Sequence, residues 1–518
     1  MREMRWKPIP GGIGGILVVL ALCLSGAGVF PLLGLKQAGP DPPGEEIWMG
    51  VYINDIKVGY SRFSESRAVR EGQNVTLLSS ESLIIVSRLG GNPIELLTRQ
   101  ETWLDDEDRP LETRVRTKMS QTETVIRAEV LPNTVVFYLG DRIAKELPYV
   151  EKFHVDVPVQ DIIETEGLHP GASYEFKILD PVAYAFSECH FFVRGEEDVL
   201  ILGENKRLWH VTTELDSLIP MVLEEWIDGT GKVYKSVAQV GFMTTAALLM
   251  SKEKALEPGT ESFDIAFSSL ITSNVRMERP QNVRRMRLKL SGLRVDKLKG
   301  LPWGEAQELL EVGEDFVIVE TRSRIFCEEE SLTLPIQKQS DWQDSLASTV
   351  FCQVNDADIQ SVAREVVGEE RNAWRAAKKI AEWVDREMEA NYDVGFASAR
   401  EVLDNREGDC SEHTVLFVAL CRASGIPARA VVGIMYGGGI FAYHMWPEVF
   451  VGDWVALDPK WLALDPETGE YFTDATHIKF GQSNLDENMY QELVTSISEI
   501  IGKLKLEVLK HSEDDVSR

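Results

Sequence analysis

Cysteine is scarce in this chain, and no two cysteines have the CxxC spacing. The six positions are Cys23, Cys189, Cys327, Cys352, Cys410 and Cys421. This pattern predicts neither a zinc ribbon nor a small scaffold stapled by disulfides. One disulfide in the middle region is compatible with the sequence, which does not indicate the pair.

Basic residues are also few relative to acidic residues. The chain has 54 basic and 83 acidic residues, a formal net charge of −29. Such a surface repels phosphates, so we predict no nucleic-acid partner. The sequence also lacks the spaced acids and glycine of a calcium loop, so it predicts no calcium dependence.

The N-terminus is uncharged over residues 8–35, and residues 16–24 are continuously apolar. The run is long enough for a bilayer, which needs about 20 apolar residues. Basic residues precede it and acidic residues follow it, which predicts a cytoplasmic N-terminus. A cleaved signal peptide competes with a membrane anchor, because Ser25 and Ala27 are small enough for a cleavage site. Either interpretation of residues 1–36 places the bulk of the protein outside the cytoplasm, and an anchor would hold it at the inner membrane, with the bulk in the periplasm or outside.

The remaining length, within a total of 518 residues, predicts two or three domains in an α+β architecture. A Pro- and Gly-rich linker covers residues 37–46. Residues 47–250 have strand-forming patterns with short turns and predict a large antiparallel β domain. Residues 251–355 predict a connecting β module, which could be continuous with that domain.

Two short segments suggest an internal duplication of the β domain. Trp103-Leu104-Asp105 precedes Asp108-Arg109, and Trp226-Ile227-Asp228 precedes Gly231-Lys232 at the same offset. Two copies of one antiparallel unit would explain this match. A common type of hairpin turn explains it equally well.

Helical periodicity begins near Asp356, and residues 356–482 form the predicted third domain. Residues 483–518 complete the chain. Within them, apolar residues at helical spacing predict an amphipathic helix over 485–509 that packs on the body, with dimerisation as a lesser alternative. The sequence does not indicate the oligomeric state.

Cys410 is predicted at the first turn of a buried helix. Gly408-Asp409 forms a turn, and residues 411–423 are largely apolar until Gly425 ends the helix. The backbone N–H groups and the positive dipole end of such a helix favour a thiolate. Cys421 follows in the same helix and is predicted to be core.

His444 and Asp458 are predicted on neighbouring strands of a hairpin. With a two-residue turn at Gly452-Asp453, Asp458 pairs with Pro447, roughly 10 Å along the strand from His444. A longer turn or a bulge at Pro447 would close that gap. A carboxylate there could orient a histidine that acts as base for the thiol.

The segments GDCSEH, GIPAR, YHMWPEV and WVALDP resemble the core motifs of the transglutaminase-like superfamily. The resemblance covers about residues 356–482. It implies a papain-like thiol fold, in which Cys410 is the nucleophile, His444 the base and Asp458 the orienting carboxylate.

Other side chains are candidates for the surroundings of the thiol. The backbone N–H of Cys410 is the expected first oxyanion donor. Candidates for the second donor and the cleft are Asn391, Tyr392, Trp446 and His413. His477 is a conceivable base that no motif favours over His444. A metal held by Cys410 and His413 would lack further ligands, so neither a metal nor a cofactor is predicted.

The resemblance implies acyl transfer through a thioester on Cys410, with a protein or peptide as substrate. We expect hydrolysis, as by a peptidase or amidase. A protein-crosslinking transglutaminase is the nearest alternative. A non-catalytic extracytoplasmic protein, whose β region binds a partner or a lipid-like ligand, is the alternative from a different class.

Overall fold

The computed structural model describes residues 46–512, except 88–92, 120–121, 151, 218–220, 241–242, 265–269, 338–340, 392–395, 466, 490–491, 493–495, 497–499 and 501. The predicted membrane segment, residues 1–36, lies outside the described residues. In the described part, none of the helices has the length and apolar character needed to cross a bilayer.

The chain divides into two compact units, and the division falls after Asp264. The strands of the N-terminal unit are β1 Glu46–Ile53, β2 Ile56–Arg70, β3 Gln73–Val86, β4 Ile94–Leu104, β5 Pro110–Met119, β6 Thr122–Val130, β7 Thr134–Leu139, β8 Arg142–Pro148, β9 Phe153–His154, β10 Ser173–Asp180, β11 Ala185–Ile201, β12 Glu204–Asp216, β13 Met221–Ile227, β14 Val233–Val240 and β15 Met243–Leu249. Its helices are α1 Val159–Thr165 and α2 Lys252–Leu256.

These fifteen strands form one sheet in the order β8-β7-β6-β5-β4-β3-β2-β1-β15-β14-β13-β12-β11-β10-β9. All neighbours are antiparallel except β9 and β10. Buried and exposed residues alternate along strands such as β4 and β13, so apolar side chains gather on one face. Phe63, Phe191 and Ala247 belong to the resulting core. The predicted antiparallel β architecture of this region is confirmed.

Both segments of the suspected duplication form the same turn. Asp105 Oδ1 accepts hydrogen bonds from the backbone N–H groups of residues 107 and 109, and Asp228 Oδ1 does so from residues 230 and 232. Asp108 and Gly231 occupy equivalent positions with positive φ. The sequence match therefore reflects a shared turn, which both explanations of it require.

The C-terminal unit contains the remaining elements. Its strands are β16 Ile271–Thr272, β17 Arg285–Ser291, β18 Gln307–Val312, β19 Phe316–Arg322, β20 Glu389–Ala390, β21 Glu407–Gly408, β22 Ala428–Gly437, β23 Ile440–Phe450, β24 Trp454–Ala456, β25 Ala463–Leu464, β26 Tyr471–Phe472, β27 Ile478–Ser483 and β28 Lys505–Ser512. Its helices are α3 Val295–Lys299, α4 Ala357–Val367, α5 Ala373–Glu387, α6 Ala399–Asn405 and α7 Cys410–Ala423.

Two sheets organise this unit. One has the order β16-β23-β22-β27, with β24 paired to β23, and the other has the order β18-β19-β17-β28. Helix α7 packs against β22 and β23, and helices α4, α5 and α6 pack against α7. All residues of α7 except Ala423 are buried, which explains why its apolar residues show no single face. This arrangement agrees with the predicted helix on an antiparallel sheet.

The residues of the predicted connecting module, 251–355, are divided between the two units. Helix α2 packs on β1 and β2, whereas β17, β18 and β19 join the C-terminal unit. The predicted helix over residues 485–509 is wrong at its end, because β28 begins at Lys505 and pairs with β17. There Leu506 and Val508 are buried while Glu507 is exposed, the alternation of a strand.

Candidate active site

The N-terminus of α7 is fixed by a reciprocal capping box. The Asp409 carboxylate accepts a hydrogen bond from the Ser411 N–H at 2.7 Å, and Glu412 Oε2 accepts one from the Asp409 N–H at 2.9 Å. A Cβ on Gly408 would lie 2.3 Å from the Cβ of Glu412, so only glycine fits before this cap. Burial, followed by the nearby Asp409 charge, raises the pKa of Glu412 well above its usual range.

The cap places Cys410 at the first position of α7, where its side chain is 2% exposed. The Met445 N–H of β23 donates to Cys410 Sγ at 3.4 Å, and the Thr414 hydroxyl donates to the Met445 carbonyl at 3.2 Å. The helix start is thereby docked on the strand at the residue that follows His444.

His444 and Asp458 are in direct contact. His444 Nε2 lies 2.6 Å from Asp458 Oδ2, and the two residues are 5% and 3% exposed. Asp458 Oδ1 also accepts a hydrogen bond from the Lys460 N–H at 2.9 Å. An ionised carboxylate can only accept, so the hydrogen lies on Nε2, and Nδ1 of a neutral ring is the basic nitrogen. Nδ1 is buried and has no hydrogen-bond partner among the described residues.

A turn longer than two residues makes this contact possible. Phe450 pairs with Trp454 and Glu448 with Ala456, so residues 451–453 form the connection. The Leu457 N–H donates to the Pro447 carbonyl, which continues this register toward Asp458. Asp458 therefore falls one residue closer to His444 than in a two-residue hairpin.

His477 is the residue of the site that the motifs did not assign. Its Nε2 lies 3.5 Å from Asp458 Oδ2, and its Nδ1 lies 3.3 Å from Asp474 Oδ1. The first contact is an ion pair at a distance too long for a good hydrogen bond. The chain brings His477 into the site because β27 pairs with β22, which pairs with β23. Its short separation from Asp474 was the only local signal in the sequence.

The charges of the site favour ionised Asp458 and protonated His477. Burial raises the pKa of Asp458, but His444 and then His477 more than offset this, so its pKa is lowered. Burial lowers the pKa of His477, but Asp474 and Asp458 outweigh it and raise the value to about 9.

Two further candidates lie close to these groups. The Trp446 ring stacks on His444 with centroids 5.9 Å apart and meets His477 edge-on at 5.1 Å. His413 Nδ1 lies 2.5 Å from the Asp409 carbonyl, and burial, followed by the Lys460 charge, lowers its pKa to about 4. His413 thus packs against the cap of α7.

Of the two residues predicted to supply the second oxyanion donor, Asn391 and Tyr392, the structure describes only Asn391. The Asn391 N–H donates to the Gly408 carbonyl at 3.0 Å, because β20 pairs with β21 just before Cys410. Tyr392 lies outside the described residues. Cys421 is fully buried in α7, as predicted for a core residue, and burial raises its pKa well above the usual range.

Three side chains, His444, Asp458 and His477, converge closely enough to raise the question of a metal ion. Two zinc ligands at about 2.0–2.1 Å from one ion in tetrahedral geometry lie about 3.3 Å apart. The 2.6 Å between His444 and Asp458 is shorter and fits a shared hydrogen. The donor set therefore suits proton transfer better than metal binding.

A pocket of about 400 Å³ adjoins the site beside Trp446 and His477. Its charged lining consists of Glu305, Arg322, Arg324, Arg429, Glu448, Asp453, Asp474 and Lys479. Cations and carboxylates alternate there, as in the pairs of Arg429 and Lys479 with Glu448. The charged groups that line the pocket therefore have no dominant sign.

Residues 360–459 match the family model of the transglutaminase-like superfamily. The chain contains a transglutaminase-like domain. Cys410, His444 and Asp458 all lie within the matched segment, whereas His477 follows it. This match supports a thiol-dependent enzyme, without distinguishing hydrolysis from transfer.

The chain is also similar to a curated relative and to solved structures. An uncharacterised protein of Haemophilus influenzae is 32% identical over 107 residues, which cover 20% of this chain and 29% of that relative. A presumed cysteine protease from Cytophaga hutchinsonii shares 16% identity over 44% of this chain and 89% of its own, with a TM-score of 0.29. A β-barrel-like protein of unknown function from Brucella abortus shares 10% identity over 40% of this chain and 96% of its own, with a TM-score of 0.31.

Proposed function

We propose that the transglutaminase-like domain catalyses acyl transfer from an amide through a thioester on Cys410, with hydrolysis as the net reaction. The observation that carries the proposal is which ring nitrogen of His444 is bonded and which is not. Its Nε2 is hydrogen-bonded to Asp458, while the buried Nδ1 has no hydrogen-bond partner among the described residues. That nitrogen is the one available to accept the thiol proton.

The first half of the proposed reaction forms the thioester. The thiol proton passes to His444 Nδ1, and Cys410 Sγ attacks the carbonyl carbon. The carbonyl oxygen becomes an oxyanion, for which the backbone N–H of Cys410 is the proposed first donor. Collapse of this intermediate breaks the C–N bond, and His444 returns the proton to the leaving amine. Asp458 stabilises the imidazolium in between.

The second half consumes the thioester. His444 takes a proton from water, the resulting hydroxide attacks the carbonyl carbon, and the C–S bond breaks to regenerate the thiol. A primary amine in place of water would give transfer or crosslinking. We propose water as the acceptor, as in a peptidase or amidase.

The substrate class is proposed to be a protein or peptide. The apolar run at residues 16–24 supports a location outside the cytoplasm, where the protein would be held by a membrane anchor or released after signal cleavage. The N-terminal β unit is proposed to present the substrate or to dock a partner.

Profiling of the purified full-length chain against a peptide library tests the reaction. Cys410→Ala should abolish turnover, and the matched variant Cys327→Ala should leave it unchanged, because Cys327 is an exposed cysteine in the same unit. Peptide cleavage would establish hydrolysis, whereas incorporation of a fluorescent primary amine would establish transfer. Retained turnover in Cys410→Ala would refute the assignment.

A further inference from the structure

We propose that His477 is a positioning residue, which holds Asp458 ionised and oriented toward His444 by contacting the same carboxylate oxygen. This role rests on the function proposed for Cys410. The observation is that Asp458 Oδ2 lies 2.6 Å from Nε2 of His444 and 3.5 Å from Nε2 of His477. One buried carboxylate oxygen therefore lies next to two imidazole rings.

The second ring nitrogen of His477 is also directed at an acidic group. Its Nδ1 lies 3.3 Å from both Oδ1 and the backbone carbonyl of Asp474. With a carboxylate beside each nitrogen, both nitrogens can be matched only if each carries a hydrogen. The geometry thus fits an imidazolium, and the raised pKa of His477 agrees with this form.

Asp474 is itself held rigidly, so it can orient His477. Its Oδ1 accepts hydrogen bonds from the Thr476 N–H at 2.8 Å and the Thr476 hydroxyl at 2.5 Å, and its Oδ2 accepts one from Trp461 Nε1 at 3.1 Å. Asp474 is 2% exposed. This buried network fixes the Asp474 carboxylate beside Nδ1 of His477.

Trp446, His444 and His477 form a cluster of three rings in which each ring contacts the other two. Trp446 stacks on His444 at an interplanar angle of 19° and meets His477 edge-on at 80°. The two imidazoles are 5.5 Å apart by their centroids. A cation at this distance acts on Asp458 without taking the place of His444.

The charged groups that face His477 come from several elements. Asp474 lies in its own segment, and Asp458 and His444 belong to the neighbouring hairpin. On the pocket side are Glu305, Arg322, Arg324, Arg429, Glu448, Asp453 and Lys479. The four pocket cations all contact carboxylates, so His477 is the cation directed at Asp458 and Asp474.

Loss of this cation should make Asp458 easier to protonate. An opposite charge at this range shifts a carboxyl pKa by about one unit or more. The same loss of positive charge disfavours the anionic thiolate of Cys410, so in His477→Gln the acid limb of the pH profile for Cys410 alkylation by iodoacetamide should move upward by about one pH unit. That shift is roughly a tenfold lower rate on the limb. Peptide mapping by mass spectrometry isolates the reaction of Cys410 from the other thiols.

The control variant is His210→Gln, which removes a histidine paired with Glu224 in the N-terminal unit. It should reproduce the wild-type profile. Asp474→Asn should shift the limb in the same direction as His477→Gln, because it loosens the orienting partner. Superimposable profiles for wild type and His477→Gln would overturn the proposal.

A measurement on the unmodified full-length protein covers the case in which the variant does not fold. Nitrogen-15 NMR of histidine should show His477 protonated on both ring nitrogens at pH 7.5, with loss of a proton near pH 9. A neutral His477 at pH 7.5 would refute its role even if Cys410 proves catalytic. Failure of the proposed function is a different result: turnover that persists in Cys410→Ala.

Discussion

His444 donates a hydrogen bond from Nε2 to Asp458 Oδ2 across 2.6 Å, at a place where both side chains are almost fully buried. Little water competes there, so the interaction is strong and direction-sensitive. Its consequence is a fixed tautomer, with the basic Nδ1 left for a proton from Cys410. The following predictions test this arrangement and the elements that hold it.

Asp458→Asn should abolish most of the activity while the fold persists. The amide can present a donor to Nε2, which would move the imidazole hydrogen to Nδ1 and remove the base. We expect kcat to fall on the order of 10³-fold or more in a steady-state peptide assay. The matched variant Asp453→Asn changes an acid in the same hairpin that pairs with Arg324, and it should retain activity. Equal losses in the two variants would argue against the tautomer explanation.

The stability of the chain should fall between about pH 6.5 and pH 9 because of His477. Its folded pKa is raised to about 9, so its contribution is complete below the unfolded value of 6.5 and is lost as pH rises through 9. The contribution is on the order of 3 kcal/mol. Urea unfolding of wild type and His477→Gln at pH 6.5 and 9 measures it. The difference in unfolding free energy between the two proteins should shrink at the higher pH, and a constant difference would contradict the prediction.

Asp409→Ala should reduce both stability and activity, because it removes the cap that positions Cys410. Loss of such a cap costs about 1 kcal/mol of unfolding free energy. Asp356→Ala is a close control, because Asp356 caps α4 in the same way, through the N–H groups of residues 358 and 359. Thermal unfolding should show similar losses for both variants, while only Asp409→Ala loses peptide turnover. Full activity in Asp409→Ala would show that the cap does not position the thiol.

Gly433→Ala should disturb the pairing of β22 with β23, which carries His444, and with β27, which follows His477. Gly433 pairs with His444, and a Cβ at this position would lie 1.9 Å from the Ile478 carbonyl oxygen and 2.8 Å from the Trp446 ring. We expect a loss of about 2 kcal/mol in unfolding free energy and lower kcat. Gly304→Ala is the control, because a Cβ there meets no atom within 4 Å. Wild-type stability in Gly433→Ala would mean that β27 can move away without cost.

The thiol and its base were predictable because their signals are local or carried by motifs. The turn at Gly408-Asp409 followed by an apolar segment predicted the helix that begins at Cys410. The YHMWPEV and WVALDP segments indicated the pair of His444 and Asp458, although a strict two-residue turn placed them too far apart. Residues 451–453 resolve the discrepancy, since a turn one residue longer changes the register of the whole hairpin.

The contribution of His477 could not be predicted from the residues around it. It reaches Asp458 only because β27 pairs with β22 and β22 with β23, and no local pattern specifies that order of strands. The strand β28 was missed for a similar reason. Val508 fits a helical repeat with Leu504, and the pairing partner that makes Val508 part of a strand is β17, more than 200 residues earlier. Non-local pairing decides both cases.

The fifteen-stranded sheet was predicted only as antiparallel β structure. Local turns such as those at Asp105 and Asp228 can be predicted from the sequence, since each aspartate accepts hydrogen bonds from the N–H groups two and four residues later. The pairing of β1 with β15, which joins the two runs of strands into one sheet, depends on residues nearly 200 positions apart.

Trapping of an acyl-enzyme tests the central claim most directly. An amide substrate identified by peptide profiling should be mixed with the full-length protein, quenched in acid within milliseconds and mapped by mass spectrometry. We predict a thioester adduct on Cys410 that hydroxylamine removes, and that accumulates in proportion to turnover. Continued turnover with no adduct on Cys410, or with an adduct on another residue, would contradict the account.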